Sequence, residues 1–552
     1  MTSLLSLIIS FLPYTFITVN DVACAADTVS KTLYFPVSSS IPLRNDSSLV
    51  VKVTPQDSSC SIFLDSSLVN GDSLLIAQPF EREHELRLVE QDTISLWKVA
   101  FTTLPVVALT TASGNPIGEA EQKGTFLLID PDRRTEKNSS ETLYQSRLRV
   151  RGGSSRNYTK KSYAVGLTDD AGEDRDVSIM GIREHHNWVL DAMAMDKSRM
   201  RNRVIFDIWN DYSSLPYNKG KRNGTVGHHV EVVCNGQYLG LYVLSDKVNR
   251  DLLGLKSSKE REDKKRGVIY KSYIASGTTS LACYEDEPGE DAVWEGWKIT
   301  YPDFEDSEYL WEPLVDLIDF VSDDSDEGRR DFRKHYQEHF YEENLLDYMT
   351  LILAFNLRDN LDKNLYMSVR NMMVEQQFLL TPWDLDCSLG GDWNGQRYDQ
   401  VSAPMQLLNV LYVYRMLWAD NIDNYRAKQF KNWNRHREGT LSESSVFRRL
   451  TSYADLLKQS GAWRRDYDRW NGVDFVLEPE VDAVVEYMKG WYSRNVEFLD
   501  NWFDGPEGIA DVRLQTEDEV PAVYTLEGKR CDVPLSQLKA GVYVVDGKKY
   551  IK

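Results

Sequence analysis

The stretch from Phe355 to Asp392, FNLRDNLDKNLYMSVRNMMVEQQFLLTPWDLDCSLGGD, sets acidic residues, an asparagine and a lysine around two short apolar runs, and it constrains the fold most. Ahead of it, Leu345, Leu346, Met349, Ile352 and Leu353 recur at helical spacing, which predicts a helix with a buried face running into Arg358-Asp359. Leu365-Tyr366-Met367 and Phe378-Leu379-Leu380 are short, contain aromatics and are separated by polar residues, so they predict a β-hairpin. Pro382 lacks a ladder donor and ends the second strand, and Asp384 and Asp386 follow. The expected order is helix, acidic loop, hairpin, second acidic loop.

Within the first loop Asp359 precedes Asn364 by five positions, the spacing used in the catalytic loops of protein kinases. In that chemistry one Asp orients the attacking hydroxyl, while the Asn and a later Asp hold Mg²⁺ on nucleotide phosphates. Two blander readings compete: a solvated turn whose carboxylates cap helices, and a calcium loop at Asp384-Leu-Asp386-Cys-Ser388. The calcium loop fits poorly, because Leu389 and Gly395 stand where an EF-hand needs Gly and Glu.

The chain has 552 residues, enough for two or three domains, and its 42% hydrophobic and 27% charged composition is that of a folded protein. A formal net charge of -21 excludes nonspecific binding to nucleic acid and adhesion to anionic membranes. A polyphosphate ligand must therefore meet a local basic cluster or a metal.

An apolar stretch from Leu4 to Val19, followed by Ala23-Cys24-Ala25, reads as a secretory signal peptide over residues 1–25, with a membrane anchor as the alternative. No Lys or Arg precedes it, and Pro13 interrupts it. No other run is long enough to span a membrane. Of the six cysteines, Cys24 falls in the leader and the rest include no C-x-x-C pair, which excludes a disulfide framework or zinc ribbon. The paired histidines His185-His186 and His228-His229 receive no role.

From residue 26 to about 103, short strands separated by Ser, Asn, Asp and Gly predict a small β-sandwich-like domain. Beyond Leu104 the strands lengthen. Leu148-Arg149-Val150-Arg151 opens into Gly152-Gly153-Ser154-Ser155 and returns through Lys160-Lys161-Ser162, a loop whose backbone donors and flanking cations suit an anion. Its competing reading is an ordinary hairpin with basic residues on the wet face. Alternation places Lys160 and Lys161 on opposite faces without choosing between them. Asn235-Gly236 marks a two-residue hairpin turn, and Asp251–Gly296 reads mostly as a charged insertion apart from Gly267–Tyr273. From about Met405 to Trp502 the chain reads as helical, with tryptophans as packing; the last forty or so residues return to short strands.

These residues resemble the CotH kinase-like family, named for spore-coat protein H. The resemblance rests on Arg149-x-Arg-Gly-x-Ser-Ser with Lys160-Lys-Ser-Tyr, Trp188-x-Leu with Asp196 and Arg201-Asn202, and Val230-Glu-Val with Asn235-Gly-x-Tyr-x-Gly240-Leu-Tyr. Arg358-Asp359 with Lys363-Asn364-Leu-Tyr, and Pro382-Trp-Asp-Leu-Asp with Gly390, complete it, over roughly Leu104 to Trp502. It implies an α+β, atypical protein-kinase-like bilobal domain at 104–505, with a β-rich lobe, a helical lobe, and ATP with Mg²⁺ or Mn²⁺ in the cleft. By position Asp359 is the implied catalytic base and Asn364, Asp384 and Asp386 the implied metal residues. Arg149, Arg151, Ser154, Lys160 and Lys161 are the candidates for the nucleotide phosphates. The phosphate-binding lysine lacks an evident acidic partner; Asp196 and Glu231 are the candidates.

The C-terminal segment at 511–552 resembles the sorting module of type IX secretion cargo, implying contact with a secretion machinery and a secreted or cell-surface location. The implied activity is transfer of the ATP γ-phosphate to Ser or Thr of secreted or surface proteins. Two other readings stand beside it: a surface adhesion or structural protein that keeps the fold without catalysis, and a glycan-processing enzyme using Asp384 with a second carboxylate.

Overall fold

The computed structural model describes residues 16–504 apart from 46, 57–58, 259–264 and 304–309, together with the backbone of short strands between 523 and 551. The chain is a mixed α+β protein, β-rich in its N-terminal part and helical in its C-terminal part.

The N-terminal unit packs a three-stranded sheet against a six-stranded one around Leu33, Phe35, Val51, Leu86, Val99 and Phe101. It begins upstream of residue 26. Ile17–Val19 pairs with Ser48–Pro55, and Ala25–Asp27 pairs with Thr32–Pro36. The expected leader boundary after Ala25 thus falls inside this unit, where Val22, Ala23, Cys24 and Ala25 are all buried; residues 1–15 lie outside the described part. Burial also raises the Cys24 thiol to about 12, so it stays a neutral, packed group.

The next unit is a closed seven-stranded barrel. Its strands run in the order Val106–Thr111, Gln122–Ile129, Glu141–Arg151, Ser162–Thr168, Asn187–Asp191, Gln237–Ser245 and Gly227–Cys234. The last pairs parallel with the first. Strict alternation sends Leu148 and Val150 into the barrel core and leaves Arg149 and Arg151 on the other face. The sandwich docks on this barrel at the Asn235-Gly236 turn. Gly236 has φ +70°, and a Cβ there would meet Thr28 Oγ1 at 2.9 Å, so glycine is required for both conformation and contact.

The predicted hairpin forms as Leu365–Val369 and Phe378–Pro382, with Leu365 opposite Pro382. It belongs to a five-stranded sheet whose central strand is Val268–Ser272. Beyond that strand, the part expected to be an insertion also reaches the interior: Leu281 and Trp294 join the largest hydrophobic core, as does Trp297 just past it. Charge density had masked short buried runs there. The helix before the hairpin spans Glu342–Phe355 and ends at Asn356, whose left-handed backbone (φ 54°) turns the chain toward Arg358–Asn360. The C-terminal helices, including Tyr425–Arg437, Glu443–Gln459, Ala462–Trp470 and Val481–Asp504, pack around Trp433 and Trp491. Residues 523–551 contribute a four-stranded sheet.

Candidate active site

The two acidic loops meet at the end of the hairpin. Asn364 Nδ2 donates to Asp359 Oδ2 at 2.7 Å, and Lys363 Nζ lies 3.4 Å from the same oxygen. Asn360 braces both loops, donating through Nδ2 to the carbonyls of Asn364 and Trp383. Asn364 and Asp384 both adopt left-handed backbone (φ 53° and 59°), a conformation that Asn and Asp tolerate better than most residues. Such strain is held where surrounding contacts over-determine it.

Burial raises the Asp359 carboxyl above its ordinary value, with Lys363 and Arg358 pulling the other way. Burial also raises Asp384, reinforced by Asp191 and opposed by Arg151 and Lys271. Asp386 is raised further by burial and by the charges of Asp384, Asp196, Asp191 and Asp359. Among the described residues, neither Asp384 nor Asp386 forms an ion pair, whereas Asp196 is matched by Arg201 at 2.8 Å. Asp384 is exposed and Asp386 half-buried, and carboxylates without a counterion are donors that a hard divalent cation takes.

The barrel supplies the opposite wall. Register sets Arg151 across from Ser162, whose hydroxyl reaches Asp191 Oδ1 at 3.3 Å. Asn202 then ties Asp191 to the second acidic loop: its Nδ2 reaches Asp191 Oδ2 at 3.4 Å, and its Oδ1 accepts from Leu385 N at 3.1 Å. Arg201 Nε holds Ser388 O at 2.8 Å. The Arg201-Asn202 pair on the helix start thus carries the acidic loop.

Beside this cluster lies a cationic face. Lys271, cross-strand from Tyr366, sits 5.5 Å over the Tyr366 ring and 5.4 Å over Trp383, with Arg151 5.6 Å over the same tryptophan. Burial lowers Lys271 to about 8; Arg151, Lys247 and Lys298 push it down further, against Asp384. Lys247 is lowered by burial and by Arg151, Arg149 and Lys298. Among the described residues, none of these five cations makes an ion pair. In a chain of net charge -21, that is a local concentration of positive charge suited to an anion.

The sequence-derived candidates divide accordingly. Asp359, Asn364, Asp384, Asp386 and Arg151 come together, and Arg149 adjoins them through Lys247. Ser154 is exposed on the Ser154–Asn157 turn, and Lys161 Nζ donates to Arg156 O at 2.6 Å, bracing that turn. Lys160 is 2% exposed, and its ammonium is engaged by Asp466 Oδ1 at 2.7 Å and Leu241 O at 2.6 Å. Its partner is neither Asp196 nor Glu231; Glu231 is taken by Arg465, at 2.8 Å on each oxygen. Sequence reasoning missed Lys271, Lys247, Asp191 and Asp466. Lys271 had a signal, a lysine inside the apolar run Val268-Ile-Tyr-Lys-Ser, and Asp191 ends the Trp188-Val-Leu strand.

In sequence, no curated protein matches the chain. A family model described as CotH kinase protein matches residues 148–499, which include the Arg149–Lys161 hairpin, the Asn202 helix, both acidic loops and Asp466. That match covers more than half of the chain, and its limits enclose every residue of the two walls just described: the chain belongs to the CotH kinase protein family.

Proposed function

We propose that the chain is an atypical protein kinase that transfers the γ-phosphoryl group of ATP to a Ser or Thr hydroxyl of a secreted or surface protein. The observation that carries this reading is the meeting of carboxylates without ion-pair partners at Asp384 and Asp386 with five unpaired cations around Lys271. The barrel and the helical part act as the two lobes of a kinase-like fold, with the nucleotide between them. Arg151, Lys271 and Lys247 face the phosphates, while Trp383 and Tyr366 shield that surface from water.

Asp384, Asp386 and the amide oxygen of Asn364 would hold Mg²⁺ or Mn²⁺, which neutralises charge on the transferring phosphoryl group. Asp359 orients the acceptor hydroxyl and takes its proton as the oxygen bonds to the γ-phosphorus and the bridging P–O bond to ADP breaks. Its hydrogen bond from Asn364 fixes the carboxylate for that task. Lys160, Asp466 and Arg199 hold the lobes together beneath the site.

We further propose export, through an N-terminal leader that ends upstream of Phe16, and delivery to the cell surface through the C-terminal sheet. A cut there leaves the strand Ile17–Val19 in place.

Incubation of the protein with γ-labelled ATP and Mn²⁺ tests the catalytic reading. Wild-type protein should bind ATP in a metal-dependent way and label itself or an added acceptor, and Asp384→Asn should do neither while unfolding at the same temperature. Absence of both metal-dependent ATP binding and transfer in the wild type would sink it.

A further inference from the structure

A second opening adjoins the carboxylate cluster, and none of the five cations around Lys271 lines it. It is a cavity of about 430 Å³ that shares Asp386 with the metal residues and is bounded by Lys197, Asp392, Arg397, Val476 and Tyr487. The loop that forms its floor is built rather than draped. Gly395 has φ +66°, and a Cβ there would meet Met195 O at 2.8 Å; Gly390 O accepts from Tyr487 Oη at 2.9 Å; and Asp392 Oδ1 accepts from the backbone of Asn394 and Gln396 at 2.9 and 2.7 Å.

The charges in this cavity are mostly already matched. Arg201 is matched by Asp196, and Arg397 lies 3.4 Å from Glu478 while resting 4.5 Å over the Tyr487 ring. Asp386 belongs to the metal residues, and Asp392 is engaged by its own loop. Lys197 is left over: it is half-buried and 5.6 Å over the Phe475 ring, and among the described residues it has no hydrogen bond or ion pair. Burial and the nearby Arg201 and Arg397 lower its ammonium, against Asp392, so a further negative charge there would relieve it. Part of the rim is apolar: Val476 is 76% exposed, and Trp393, next in the chain to Asp392 though not itself lining the cavity, is 73% exposed.

We propose that this cavity takes the acceptor polypeptide, holding an Asp or Glu of the substrate on Lys197 and Arg397 so that a neighbouring Ser or Thr hydroxyl lies at Asp359 and Asp386. The inference rests on the kinase reading. A triphosphate carries too much charge for a cavity whose three cations, Lys197, Arg201 and Arg397, already face four acids, one of them the Asp386 counted with the metal residues, and the face around Lys271 offers five unpaired cations. The cavity is left for a ligand with one or two carboxylates on an amphipathic backbone.

The test uses the full chain and a serine peptide library with each flanking position varied, read both as binding to immobilised peptides without nucleotide and as phosphate transfer with Mn²⁺. Wild type should select Asp or Glu at one or two positions near the serine. Lys197→Glu with Arg397→Glu should lose that selection, raise KM for acidic peptides at least tenfold, and change KM for ATP less than twofold. Lys197→Gln, a milder change, should show a smaller loss of the same selection. If wild type binds acidic peptides and the double reversal abolishes that binding, the cavity stands as a peptide site even if no transfer is seen, and only the kinase reading falls. A selection unaltered by the charge reversal, no selection in either assay, or a loss confined to ATP would overturn the proposal.

Discussion

Lys160 Nζ lies 2.7 Å from Asp466 Oδ1, although 306 residues separate them. The same carboxylate also accepts from Arg199 Nε at 2.8 Å and from Leu241 N at 2.9 Å. One acid thereby ties the basic hairpin, the loop before the Arg201–Tyr212 helix, a barrel strand and the Ala462–Trp470 helix into a single knot. Gly240, with φ +98°, makes room for it, since a Cβ there would meet Asp466 Oδ1 at 2.5 Å. Burial would raise Asp466, but the charges of Lys160 and Arg199 outweigh it and hold the carboxyl below its ordinary value.

Removing that carboxylate leaves two buried cations without an acidic partner. Asp466→Ala should cost about 3–5 kcal/mol of stability, the range for breaking one member of a buried ion pair. Urea unfolding measures it. Lys458→Ala, which removes an equally short pair with Asp482 in which both side chains are more than half exposed, should leave the midpoint where it is. Equal effects from the two substitutions would mean that the buried knot is not what joins the parts.

The phosphate contacts are predicted to come from Lys271 rather than Lys161. Lys271→Ala should weaken ATP binding in the presence of Mn²⁺ by roughly tenfold to a hundredfold, the loss of one charge-assisted hydrogen bond of about 1.5–3 kcal/mol. Lys161 is occupied by Arg156 O, so Lys161→Ala should leave that affinity unchanged. Titration calorimetry at fixed ionic strength distinguishes them, and the reverse order would return the phosphate role to the hairpin.

The carboxylates were legible in the sequence because local order dictates them: a helix, a hairpin and two loops lie within one contiguous stretch, and each announces itself by periodicity or by Pro382. The partners were not. Lys271 sits in Gly267–Tyr273, the one run that stands out from its charged flanks, but only pairing with Tyr366 turns its side chain toward Asp384. Asp466 looks in sequence like one more acid on an amphipathic helix, and nothing local tells that it faces Lys160. The leader boundary is a related case, since Ala23-Cys24-Ala25 is small and apolar, which suits a cleavage motif, and is also buried at a strand edge.

Deleting residues 1–25 should damage the N-terminal sandwich, whereas deleting residues 1–15 should not. The longer deletion removes the fully buried Ile17 and Val19 and uncovers the edge of Ser48–Pro55. At about 1.5–3 kcal/mol for each buried aliphatic side chain, those two alone account for roughly 3–6 kcal/mol. Thermal unfolding of the two truncations, with limited proteolysis across residues 26–103, provides the comparison. Equal melting and equal protease resistance would show that the strand is dispensable.

Acid should loosen the same knot through His229. Its Nε2 lies 2.7 Å from Arg199 O, which fixes the proton on that nitrogen and leaves Nδ1 buried without a partner. Protonating Nδ1 would add both a charge and an unmet donor to the core. Burial accordingly lowers the imidazole to about 4, with Arg203 and His228 adding to it and the Arg199 carbonyl opposing. An unfolded chain binds this proton near pH 6.5, so between about 6.5 and 4 it holds more protons than the folded one, and stability falls as pH falls through that window. The contribution is fully present above pH 6.5 and amounts to about 3 kcal/mol. His229→Gln, which keeps a side-chain donor and does not titrate, should remove that part of the pH dependence, read as the difference between wild-type and variant urea midpoints at pH 7 and pH 4.5. An unchanged difference at the two pH values would show that His229 takes up its proton alike in the folded and unfolded chain, and that the acid sensitivity of the knot has another source.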